Sequence, residues 1–122
     1  MHIQEREGNV QKREKGFYYE QVAADYLREK GYRILARNFY THFGELDLVA
    51  QDGAYLVFVE VKYRTDQSKG DPLEAVTAAK IRHIRRSAQV FLLRGGYPAD
   101  TPCRFDVVGI LGETITHISN AF

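Results

Sequence analysis

The stretch of sequence that decides the fold is residues 44–64, GELDLVAQDGAYLVFVEVKYR. Two runs rich in Val, Leu and Phe, 44–51 and 54–64, flank Asp52-Gly53, which is a strong tight-turn signal. The pattern predicts two antiparallel strands joined by a hairpin.

Two carboxylates interrupt this apolar pattern. Glu60 follows a run typical of a strand buried on both faces, where an unpaired carboxylate would cost several kcal/mol. Asp47 also lies between apolar neighbours, although Asp is a poor strand former. A register near Asp47 opposite Phe58 would bring Asp47 within diagonal reach of Glu60, on the face that also carries Lys62. We therefore expect two carboxylates to converge beside one ammonium group.

This set of residues is typical of metal-assisted phosphodiester hydrolysis. Mg²⁺ takes one or two carboxylates and completes its octahedron with water and substrate phosphate, so Asp47 and Glu60 predict a site for Mg²⁺ or Mn²⁺. Lys62 would stabilise the charge that develops in the transition state. The alternative is a partly buried salt bridge among the same three residues.

Two further carboxylates have a less direct interpretation. Glu20 falls on the helical stripe of Phe17, Ala24 and Leu27, so it either reaches the metal through water or pairs with a nearby Lys or Arg. Asp106, between apolar residues of a later strand, is predicted to be a structural partner rather than a metal ligand.

The rest of the chain supplies the order αβββαβ. Residues 1–13 predict a mobile polar tail, and 14–122 a single domain. A first helix should span 14–30, and a strand 32–39 precedes the hairpin. Asp71 should cap a second helix that continues to the glycines at 95–96. Strands are expected at 103–111 and, at the sheet edge, 114–118.

Composition excludes several classes of protein. The chain has 122 residues, one cysteine and a formal net charge of +1, which argues against an internal disulfide and against coating nucleic acid by bulk charge. No apolar run is long enough to cross a bilayer, and the polar first residues do not resemble a secretory signal. A cytoplasmic protein without membrane contact is the expectation.

A local excess of positive charge indicates a candidate nucleic-acid surface. Residues 75–94 contain five Lys and Arg residues and no acidic residue. The candidate contacts to phosphate are Lys80, Arg82, Arg85 and Arg86, extended by Arg64 and Lys69, which lie just beyond Lys62 in the sequence. The alternative is an ordinary solvated helix face.

The hairpin resembles the core of the PD-(D/E)xK nuclease superfamily, with Asp47 as the Asp and Glu60-Val61-Lys62 as the (D/E)xK. Over about 16–110 the chain looks like the YraN-like family, which is grouped with endonucleases and related to Holliday-junction resolvases. The motifs that carry this resemblance include Glu20, Asn38, the Asp71-Pro72 helix start, Lys80 and the strand around Asp106.

The resemblance implies a restriction-endonuclease-like αβββαβ core, with a mixed central sheet flanked by helices. It also implies a divalent metal and DNA as substrate, with Glu20, Asp47, Glu60 and Lys62 at the functional positions. Symmetric cutting of branched DNA would need a homodimer. The competing hypothesis is a non-catalytic accessory module that binds nucleic acid. Another phosphorylated substrate has little support, because the sequence contains no glycine-rich phosphate loop.

Overall fold

The computed structural model describes residues 3–66, 68 and 70–122. In chain order the elements are helix α1 (Ile3–Glu29), strands β1 (Arg33–Thr41), β2 (Gly44–Asp52) and β3 (Tyr55–Arg64), a short 3-10 helix (Pro72–Ala75), helix α2 (Ala78–Gly95), and strands β4 (Cys103–Leu111) and β5 (Thr114–Ile118).

The strands form one mixed sheet in the order β1-β2-β3-β4-β5. The three pairs joined by short turns, β1–β2, β2–β3 and β4–β5, are antiparallel, whereas β3 and β4 are parallel. Parallel neighbours need a long crossover, and α2 supplies it. The predicted α/β architecture with a mixed central sheet is confirmed.

The two helices cover opposite faces of the sheet. Ala23, Ala24 and Leu27 of α1 are buried against the face that carries Val57, Val59 and Val61. Ile84 and Ala88 of α2 are buried against the face that carries Phe58. β3 is therefore apolar on both faces, as its continuous run of Val and Phe predicts.

The predicted start of α1 is wrong. The helix begins at Ile3 rather than at Glu14, so residues 3–13 of the predicted tail are helical. Glu, Gln, Arg and Lys are good helix formers, and such a segment can extend a helix without an apolar stripe. The mobility of this segment stays a prediction, and residues 1–2 lie outside the described part of the chain.

The second predicted helix is in fact two helices. Asp71 caps the 3-10 helix as expected, with its Oδ1 accepting a hydrogen bond from the Leu73 N–H at 2.9 Å. Val76 is extended, however, and Thr77 starts α2 by accepting from the Lys80 N–H at 3.2 Å. Thr is a preferred N-cap residue, and its side-chain hydrogen bond favours the start of a new helix at Thr77 over one continuous helix from Pro72.

The predicted register of the hairpin is wrong by two residues. Val49, rather than Asp47, lies opposite Phe58. Continuing the observed register by one residue beyond Leu48↔Val59 brings Asp47 opposite Glu60. A shift of two residues keeps every side chain on its face, so the two carboxylates still meet.

Candidate active site

The candidate site lies where β2 separates from β3. Backbone pairing between the two strands ends at Leu48↔Val59. Just beyond this point the Asp47 side chain bonds to β3 in place of the backbone, and its Oδ2 accepts a hydrogen bond from the Val61 N–H at 2.8 Å. The carboxylate is thus held by the backbone of the strand that carries Glu60 and Lys62.

A kink shared by β1 and β2 sets the position of Asp47. Asn38 has a φ of 52°, a left-handed conformation that few residues other than glycine and Asn adopt. Asn38 and Asp47 face each other between the pairs Arg37↔Leu48 and Phe39↔Leu46. Leu46 is buried on the α2 face of the sheet and Leu48 on the α1 face, although regular alternation would place both on one face.

Three carboxylates converge at this kink. One oxygen each from Glu20, Glu45 and Asp47 lies within 4.8 Å of the other two. All three residues are half-buried. The expectation that Glu20 faces the site therefore holds in this arrangement. Glu45 was not predicted, although its place two residues before Asp47 on the same strand is a signal that could have identified it.

Glu60 lies beside this group and pairs with two lysines. Its side chain is 3% exposed, and Oε1 lies 3.6 Å from the Lys62 Nζ and 3.7 Å from the Lys80 Nζ. Glu60 also lies close enough to Asp47 for the two carboxyl groups to perturb each other's ionisation. Lys80, expected on the nucleic-acid surface, is thus directed at the carboxylate cluster from the first turn of α2.

The cluster strongly perturbs its own ionisation. Burial and the nearby charge of Asp47 raise the pKa of Glu60 to about 8, against the opposing effect of the two lysines. Burial, and then the Asp47 charge, raise the pKa of Glu20 to about 7. Burial also raises the pKa of Asp47 and, together with the charge of Asp47, that of Glu45. Carboxylates crowded in this way are stabilised in their charged form by a cation.

The donor set fits a hard divalent ion. Two oxygens on opposite sides of Mg²⁺, each bound at about 2.1 Å, are about 4.2 Å apart. Oxygens that already lie within 4.8 Å of one another need little movement to reach that separation. The residues that could hold the ion are Glu20, Glu45 and Asp47, with Glu60 adjacent.

Three of the basic residues predicted to contact phosphate lie on one helix. Arg82, Arg85 and Arg86 are exposed on α2, but the Arg85 guanidinium lies 5.9 Å from the Phe105 ring centroid and that of Arg86 lies 5.5 Å from the Phe43 ring centroid. Lys69 lies outside the described residues.

A second basic region, which we call the basic cleft, opens at the end of β3. It has a volume of about 320 Å³. Arg64 contributes to it and is half-buried, with Nη1 donating to its neighbour's carbonyl at 2.8 Å. The cleft is lined by Lys12, Lys15, Tyr63, Arg64, Thr65, Asp66 and Ser68. Lys12 and Lys15 were not predicted, because they lie in and near the segment interpreted as a tail.

Asp106 has the structural role predicted for it. It is fully buried, accepts hydrogen bonds from Arg104 at 3.0 and 3.2 Å, and lies 2.7 Å from the His117 Nε2. The Asn120 N–H completes its set of partners at 3.0 Å. This network joins β4 to β5 and to the C-terminal turn, away from the carboxylate cluster.

Fold and site together define an α/β protein with a restriction-endonuclease-like core that carries an acidic cluster suited to a divalent cation. The model of the uncharacterised protein family UPF0102 matches residues 19–110, so the chain belongs to that family. This confirms the YraN-like resemblance.

Relatives from several bacteria share three quarters or more of the chain. A UPF0102 protein of Lachnoclostridium phytofermentans is 52% identical over 113 residues, covering 93% of this chain and 96% of the relative. One from Symbiobacterium thermophilum is 55% identical over 91 residues, covering 75% and 76%. One from Vibrio campbellii is 45% identical over 119 residues, covering 93% and 96%.

Among the residues that the structure describes, no helix combines the length and the apolar character that a bilayer span requires.

Proposed function

We propose that this protein is a metal-dependent nuclease that hydrolyses phosphodiester bonds in DNA with Mg²⁺ or Mn²⁺. The observation that carries the proposal is the convergence of Glu20, Glu45 and Asp47 beside Glu60 and Lys62, where β2 separates from β3. Aligned carboxylates beside an ammonium group match the PD-(D/E)xK pattern, and the fold is the one on which that pattern occurs.

Different residues of the chain would bind the metal ion and stabilise the developing charge. Asp47, which the Val61 N–H holds in place, is the central ligand, and Glu45 and Glu20 complete the acidic side of the site. A bound divalent ion supplies Lewis acidity toward a phosphoryl oxygen and lowers the pKa of an attacking water. Lys62, 3.6 Å from Glu60, would donate to the phosphoryl oxygen on which charge accumulates.

The test is cleavage of supercoiled plasmid DNA by the purified chain with Mg²⁺ or Mn²⁺. Asp47→Asn and Glu45→Gln should abolish nicking, and Lys62→Met should lower its rate by about 10²–10³-fold. Asp100→Asn, at an exposed carboxylate in the loop before β4, is the matched control and should nick at the wild-type rate. Equal nicking by Asp47→Asn and wild type would identify a contaminant and remove the proposal.

A second candidate function is non-catalytic DNA binding. It is favoured by the two lysines whose Nζ atoms lie 3.6 and 3.7 Å from the Glu60 carboxylate. Such a cluster of ion pairs can have a purely structural role, in which case Glu60 would not take part in catalysis. Calorimetric titration with Mn²⁺ separates the two functions. Binding that Asp47→Asn removes supports the nuclease, whereas DNA binding without any metal binding supports the accessory module.

Three expectations from the sequence accompany the nuclease proposal. They are action on branched DNA, a homodimer that cuts two strands symmetrically, and a cytoplasmic location.

A further inference from the structure

Exposed aromatic side chains lie on the elements that carry the carboxylate cluster, at positions near Glu20 and Glu45. Phe17 is 58% exposed, Tyr40 is 68% exposed and Phe43 is 36% exposed. Large apolar side chains that stay in solvent beside a polar site are a common mark of ligand contact. We refer to these three residues as the aromatic rim.

Each member of the aromatic rim lies next to a member of the cluster. Phe17 is one helical turn before Glu20 on α1, so the two side chains lie on neighbouring positions of one helix face. Tyr40 is the direct cross-strand partner of Glu45 in the β1–β2 pair. Residues paired in this way have Cβ atoms about 4.5–5.5 Å apart.

Phe43 completes the rim at the turn between β1 and β2. It lies two residues before Glu45, and its N–H donates to the Thr41 hydroxyl at 3.0 Å, which orders the turn. The turn abuts α2, because a Cβ added to Gly44 would lie 3.9 Å from the His83 Cβ. Phe43 therefore lies on the α2 side of the sheet, whereas Phe17 lies on the α1 side.

Positive charge is interleaved with these rings. The Arg37 guanidinium lies 5.4 Å from the Phe17 ring centroid, and the Arg86 guanidinium lies 5.5 Å from that of Phe43. Aromatic rings alternating with cations are the composition of surfaces that bind single-stranded nucleic acid, where bases stack on rings and cations follow the phosphates.

We infer that the aromatic rim binds unpaired bases next to the phosphate that is cut, so that the substrate is DNA with a single-stranded segment at the site. The inference rests on the proposed nuclease function and specifies its substrate. In an intact duplex the base faces are covered by their neighbours, and only groove edges and phosphates are accessible. A protein that met only duplex DNA would have no use for these ring faces.

A second copy of the chain fits the rim less well. Isologous contact through this surface would bring two identical acidic clusters face to face and cover both sites. An unpaired DNA segment offers ring faces to the aromatics and phosphates to Arg37 and Arg86, while its scissile phosphate reaches the carboxylates through the cation.

The experiment compares binding to three oligonucleotide probes: a duplex, a single strand, and a fork with 2-aminopurine in its unpaired arm. The chain contains no Trp, so the probe's fluorescence is read without interference from indole. Tyr40→Ala and Phe17→Ala should weaken binding of the single strand and the fork by about 5- to 150-fold each and leave duplex binding unchanged. Tyr40→Phe should bind like wild type, with the same quenching of 2-aminopurine.

Tyr55→Ala is the matched control. Tyr55 is 47% exposed and has the Arg104 guanidinium 5.7 Å from its ring centroid, but it is the first residue of β3, before the buried run that precedes Glu60. It should bind all three probes like wild type.

Two outcomes overturn the inference. One is an equal loss of affinity for duplex and fork in the rim variants, or no loss at all. The other is conversion of a dimer to a monomer by Tyr40→Ala with unchanged DNA affinity, which would assign the rim to a second copy. Nicking activity measured in parallel distinguishes a failure of the substrate inference from a failure of the proposed nuclease function. A wild-type chain that nicks DNA while its rim variants bind every probe normally keeps the activity and loses only the substrate assignment.

Discussion

Binding of Mn²⁺ by this protein should strengthen steeply as the pH rises, because the ion must compete with protons that are bound to Glu20, one of its proposed ligands, and to the adjacent Glu60. The pKa of Glu20 is raised to about 7 and that of Glu60 to about 8. At about pH 6 these groups are therefore about 90% and 99% protonated, respectively. A carboxyl oxygen must lose its proton to ligate, so ion binding at that pH releases protons.

The magnitude follows from the number of protons released. Each displaced proton changes the apparent Kd by up to about tenfold per pH unit below the pKa of its group. If both carboxylates must ionise, affinity should rise about 100-fold per unit below pH 7, about tenfold between 7 and 8, and level off above 8.

Isothermal titration with Mn²⁺ at several pH values, in buffers of different ionisation enthalpy, measures both the affinity and the protons released. Glu20→Gln is the internal control and should lower the pH slope below pH 7 by about one proton. An apparent Kd that stays constant from about pH 5.5 to 8.5 would refute the reasoning, because it would mean that no protonated carboxyl group is displaced by the ion.

Three further predictions concern the metal-free protein and its charged surfaces. Without metal, the carboxyl groups with raised pKa values, above all Glu20 and Glu60, bind more protons in the folded than in the unfolded chain. The Tm should therefore fall as the pH rises from about 4.5 through about 8, and saturating Mn²⁺ should reverse the fall. Asp106→Ala leaves the half-buried Arg104 without its main partner and should cost about 3–5 kcal/mol in urea denaturation, whereas Asp106→Asn, which retains a hydrogen-bonding oxygen, should cost less; equal costs would contradict the charge argument. Substituting Lys12 and Lys15 with Gln should weaken DNA binding and reduce its logarithmic salt slope by about one for each phosphate that these lysines neutralise, and an unchanged slope would show that the basic cleft does not contact DNA.

Much of this site could be predicted from local sequence. A carboxylate inside a run of Val and Phe is costly wherever the strand packs, so the sequence alone identifies Glu60 as a functional or paired group. Glu20 is identifiable from its helical stripe, and Asp106 from its place in an apolar strand. The tight turn at Asp52-Gly53 joins the two strands of the motif.

Other features depend on contacts between distant segments. Lys80 meets Glu60 only because Thr77 starts α2 anew, which directs its first turn at the end of β3. Glu45 joins Glu20 only because the left-handed Asn38 and the kink opposite it turn β2 at Asp47. Regular alternation of side chains gives no sign of the kink at Asp47 or of the contact between Lys80 and Glu60.

The sequence by itself determined the elements of this protein, their order and which residues carry unusual charge, because hydrophobic period, turn chemistry and capping act over a few residues. Only the tertiary structure decided which charges meet. The register between β2 and β3, the kink and the packing of α1 and α2 arise from burial shared among segments up to sixty residues apart, from Glu20 to Lys80, and no local pattern encodes the distances between their side chains.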